Sequence, residues 1–109
     1  MSTKKEISKN EWEEFFTIFT RQHKEWLVSV NQNSDTAIRN QPLAEIKIGQ
    51  GKIFVGAGDY FLIIDEPQTV SLVTTEQGAD KSIEISASTG KISIVIEKPS
   101  LPEMVDGIP

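Results

Sequence analysis

Two hydrophobic periods divide this chain. From Ile7 to Trp26 the apolar positions recur at helical spacing, and beyond Trp26 they alternate as in strands. At about 100° per residue, Trp12, Phe15, Phe16, Phe19, His23 and Trp26 fall in a stripe roughly 100° wide. Glu11, Glu13, Glu14, Arg21, Gln22, Lys24 and Glu25 lie outside it, so one face is built for burial. Ser8 and Glu11 have capping-box spacing, with Ser8 as N-cap, and Ile7 and Trp12 have the spacing of a hydrophobic staple. No Gly or Pro closes the helix, so its end near His23 or Lys24 is ascribed to the switch into the alternating WLVSV.

The strand pattern then repeats. Strands are expected over 26–30, 42–48, 52–55, 60–65, 69–75, 81–87 and 91–97, separated by short Gly- and Pro-containing turns. Residues 31–41, NQNSDTAIRNQ, read as a loop, and residues 1–6 as a polar lead-in. Ile83, Ile85 and Ala87, and likewise Ile92, Ile94 and Ile96, alternate with polar neighbours, which marks sheet with one buried face. The fold class is α+β: an N-terminal amphipathic helix packed on a curved antiparallel β-meander. Periodicity leaves open whether the sheet closes into a barrel. Residues 1–98 form a single domain, and 99–109, with three prolines and little periodicity, read as a mobile tail.

Composition narrows the classes. The 109 residues hold one domain's worth of core, with 38% hydrophobic and 25% charged positions. There is no cysteine, which excludes disulfides and thiolate metal sites and makes the cytoplasm the expected location. No apolar run reaches membrane-spanning length, and the first ten residues lack the apolar core of a secretory signal, so no membrane partner is expected. A net charge of −5, with Lys and Arg scattered among carboxylates, argues against a nucleic-acid partner.

Glu11-Trp12, Phe15-Phe16, Phe19, Arg21, His23 and Trp26, running into Val28 and Val30, together resemble a bacterial family of small uncharacterised proteins, a domain of unknown function. The later residues Pro67, Val70, Leu72, Glu76, Gly78-Ala79-Asp80, Ile83, Ile85 and Gly90 extend the likeness over roughly residues 7 to 97, weakest at 31–60. The resemblance implies one domain with a helix followed by strands. It brings no activity, cofactor or site residue.

Candidate chemistry is sparse. His23 is the single histidine, which removes His-His metal spacing and leaves no orienting partner for a Ser-His pair. On the apolar stripe it reads as a structural ring satisfied by a backbone carbonyl or favoured by the helix C-terminus. In a simple meander Asp59, Glu76 and Asp80 would share a rim and offer oxygens to a cation, although solvated loop acids are the commoner outcome. The Gly-x-Gly pairs at 49–51 and 56–58 open no helix and read as turns. No catalytic, cofactor or metal residues are assigned. The favoured function is a non-enzymatic interaction module or small homo-oligomer. Parity puts Val73 and Val95 on the face away from the core and sets Leu62 and Ile64 opposite Phe61 and Ile63. Leu62, Ile64, Val73 and Val95 are therefore the interface candidates for a homodimer or protein partner. The alternative is a small-molecule binder with a pocket between helix and sheet, with Trp12, His23, Trp26 and Tyr60 as its candidate residues.

Overall fold

A computed structural model of the chain describes residues 3–33, 35–76, 78–88 and 90–98, the last without its side chain. One helix packs on an eight-stranded antiparallel sheet. The strands are β1 (Thr3–Ile7), β2 (Leu27–Gln32), β3 (Asp35–Gly49), β4 (Lys52–Ala57), β5 (Tyr60–Asp65), β6 (Pro67–Thr74), β7 (Asp80–Ala87) and β8 (Gly90–Lys98). A 3-10 turn (Lys9–Glu11) leads into the helix α1 (Trp12–His23). The proposed tail, 99–109, lies outside the described residues.

The strand order is β1-β6-β7-β8-β2-β3-β4-β5, two meanders joined where β8 pairs with β2. The sheet is not closed; β1 and β5 are its edges. Two expectations are corrected. Residues 3–7 are a strand rather than a lead-in, because β1 pairs with β6 from Thr3↔Thr74 to Ile7↔Val70. Residues 31–41 are largely strand rather than loop, because β3 runs 15 residues and its first half pairs with β2 despite its polar side chains. Its second half pairs with β4.

That change of partner makes room for the helix. Beyond Leu43, β3 no longer runs beside β2, and α1 packs there. The Ile46 N–H donates to Thr20 Oγ1 at 3.2 Å, and Glu25 N–H donates to Leu43 O at 2.8 Å. Trp12, Phe16, Phe19 and His23 are buried on the helix face, as the stripe predicts. They meet Val28, Val30, Ile53, Val55, Ile64, Val70 and the alternating isoleucines of β7 and β8 in one core. Burial of this apolar surface holds the helix down, since a 12-residue helix is marginal alone.

The cap differs from the expected box. Ser8 precedes the 3-10 turn and makes no side-chain cap bond; its carbonyl accepts from Glu11 N–H at 2.8 Å. Trp12 Nε1 instead donates to Ile7 O at 2.9 Å, tying the helix start to the end of β1. The β3–β4 hairpin turns through Gln50 and Gly51, both at positive φ, as a two-residue primed turn requires. A single residue, Glu66, separates β5 from β6, although five strands stand between them in the sheet. The sheet must therefore bend back to bring the end of β5 to the start of β6. The simple meander assumed for the loop acids does not hold.

Candidate functional site

The feature that stands apart is the edge strand β5. Its register with β4 decides which way each side chain points. Ile53, Val55 and Ala57 are fully buried and pair with Ile64, Leu62 and Tyr60 respectively. The even positions of β5 therefore share the core face: Ile64 is buried and Leu62 half-buried against the core. Phe61 and Ile63 point outward. Phe61 stacks on Phe54 of β4, with ring centroids 6.0 Å apart and an interplanar angle of 22°. The same ring covers Gly56, whose missing Cβ would sit 3.9 Å from it. Lys52 and Asp65 form an ion pair at the far end of this outward face. Tyr60 has core-side parity but lies at the strand's start. Among the described residues the exposed large apolar side chains are Tyr60 (53%), Phe61 (58%) and Ile63 (47%), all on this one strand.

The other edge is built differently. β1 reads TKKEI, with Lys4, Lys5 and Glu6 exposed, and Lys4 reaches across β6 to Glu84 at 2.9 Å. Charges of this kind discourage pairing with another chain. Between Asp59 and Asp65, β5 carries none.

His23 closes the other end of the helix. Its ring stacks on Phe19 at 4.2 Å and meets Trp26 edge-on at 4.8 Å. Nδ1 lies 3.0 Å from Phe19 O, and Nε2 lies 3.2 Å from Asp80 Oδ2 on β7. A carbonyl oxygen and a carboxylate oxygen are both acceptors, so each ring nitrogen faces an acceptor. The carbonyl partner is the one expected from sequence; the Asp80 partner has no sequence signal, since it comes 57 residues later. The arrangement is a structural clamp between α1 and β7.

The remaining candidates separate. Val73 and Val95 do face away from the core, but Val73 is 8% exposed and Val95 half-buried, among Ser82, Ser29 and the Lys4 strand. Leu62 and Ile64 belong to the core face, which corrects their assignment to an outward interface; the outward pair is Phe61 and Ile63. Trp12, Trp26 and Tyr60 stand in separate surroundings. Trp12 borders an open groove of about 330 Å³ with Lys9, Ile48 and Pro67, Trp26 packs on His23, and Tyr60 is at the sheet edge. Another open groove, of about 260 Å³, lies on the outer face of β6–β8 and is lined by hydroxyls with Lys4, Glu84 and Lys91. Asp80 is held by His23, while Asp59 lies in the turn leading to the β5 edge, so the proposed acidic rim is not assembled. Among the described residues no three His, Cys, Asp or Glu side chains gather to hold a metal, and no helix is long and apolar enough to cross a membrane.

Phe54, Phe61 and Ile63 were not singled out from sequence. The available signal was YFLIID, apolar at both parities, in contrast to the lysine-bearing TKKEI.

No protein-family model, curated protein or solved structure matches the chain.

Proposed function

We propose that this protein is a non-enzymatic interaction module that associates through the β5 edge. The observation that carries this reading is the concentration of exposed apolar side chains on one unguarded edge strand. Unpaired backbone donors and acceptors of such an edge accept another strand, and apolar side chains on it add to the gain. The ligand-binding alternative has less behind it. The space between helix and sheet is filled by core side chains, and the groove at the helix start offers a Trp12 that is only 2% exposed. We place the protein in the cytoplasm on its cysteine-free composition, and in the bacterial family that its helix motif resembles.

Native mass spectrometry of the full chain purified from its own host tests this reading. Wild type is expected to retain assemblies, of whatever composition, that the double variant Phe61→Ser, Ile63→Ser loses. Monomer alone for wild type, or assemblies that persist in the variant, would contradict it.

A further inference from the structure

We infer that the occupant of the β5 edge is the β5 strand of a second copy, paired antiparallel about a two-fold axis through Leu62. This inference rests on the interaction reading above and names the partner. Two-fold pairing of identical strands with matching faces requires a residue to meet its own mate. Centring on Leu62 sets Phe61 against Ile63 of the second copy on the outer face, twice. It sets Tyr60 against Ile64 of the second copy on the core face. All five positions from Tyr60 to Ile64 then meet apolar partners. Neighbouring centres fail this test. A centre at Ile63 places Phe61 against Asp65 of the second copy, and a centre at Phe61 places Ile63 against Asp59. Only the Leu62 register leaves all the acids outside the apolar block, where Asp59 meets Asp65 of the second copy at each end. Lys52, already paired with Asp65, offsets part of that repulsion.

The other edge of a second copy is a poorer fit. β1 would bring Lys4, Lys5 and Glu6 against apolar side chains, and the head-to-tail contact would lack the two-fold self-complementarity of the β5 pair.

Area sets the strength. Large aromatic side chains bury ~150–250 Å² each. Half-exposed, Tyr60, Phe61 and Ile63 offer on the order of 300 Å² per copy, against the ~800 Å² per partner of a standard interface. The pair is accordingly weak and reversible.

Single cysteines test the register directly, because the protein has none of its own. Opposed antiparallel residues have Cα atoms ~4.5–5.5 Å apart, within disulfide reach. Under mild oxidation of the full chain at high concentration, Leu62→Cys is expected to cross-link to itself. Phe61→Cys and Ile63→Cys, both on exposed positions, are expected to cross-link when mixed and little when alone. Equilibrium sedimentation gives a second reading: Asp59→Lys, which faces Asp65 of the second copy at both ends, should tighten dimerisation by about 2- to 30-fold. Equal cross-linking at all three positions, masses that grow beyond a dimer, or a monomer up to about 1 mM would overturn self-pairing. Any of these would leave a different strand partner for β5 standing, so the two readings fail separately.

Discussion

Glu25 sits at φ 71°, the left-handed conformation that glycine commonly supplies just past a helix. A side chain there costs ~1–2 kcal/mol in local sterics. The position persists because its N–H is held by Leu43 O and the next N–H, of Trp26, by His23 O. The helix is thus stopped by backbone pairing to β3, more than by the strand preference of the WLVSV stretch. Glu25→Gly removes the steric cost but adds the ~0.5–1 kcal/mol entropy that glycine loses on folding. A net gain of about 0.5 kcal/mol is expected, read as a higher urea midpoint at unchanged slope. The same scale explains how Leu62 and Ile64 came to be misassigned. Alternation gives parity but no sense when both faces of a strand are apolar. The buried Ile53, Val55 and Ala57 opposite them supply the sense, and that pairing is tertiary information.

At the scale of elements, α1 docks on β3 through a polar contact as well as its aromatic stripe. The Ile46 N–H has Thr20 Oγ1 as its acceptor in a part-buried position, where β2 no longer runs beside β3. Thr20→Val keeps the volume and removes the acceptor. It is expected to cost ~1–2 kcal/mol, the penalty of a buried donor left unmade. Thr17→Val, whose hydroxyl bonds Glu13 O on the exposed face, should stay within about 0.5 kcal/mol of wild type. Denaturant melts of the two variants side by side make the comparison. Alternation makes β7 and β8 legible in sequence to within a residue or so, while β5, apolar at both parities, is delimited by its flanking turns. The strands missed were those whose pairing is not written in their side chains. β1 has only Ile7 turned toward the core, and the first half of β3 has only Ile38 buried. Their backbone bonds to β6 and β2 hold them, and polar side chains tolerate that at edges and over solvent. The Ser8–Glu11 spacing, in turn, was a sound capping signal that a 3-10 turn superseded.

Across the whole molecule, the two edges of one open sheet are finished in opposite ways. β1 is short and charged, while β5 exposes Tyr60, Phe61 and Ile63 without a lysine among them. The helix and the core are complete without that strand's outer face, so those side chains are not needed to fill the fold. Val73 and Val95, which parity alone offered as an interface, are already largely covered on the outer face. The interaction site was therefore legible only as a strand with too many apolar residues. Its edge position came from the strand order, which puts β5 last in the sheet although it is central in the sequence. The most direct test of the account is a dilution series of the full chain followed residue by residue in amide NMR spectra, from about 20 μM to about 1 mM. The account predicts concentration-dependent shifts confined to Tyr60–Ile64 and the adjoining Phe54 and Gly56. Shifts centred instead on Val73, Ser82 and Val95, or spectra that do not change across the series, would contradict it.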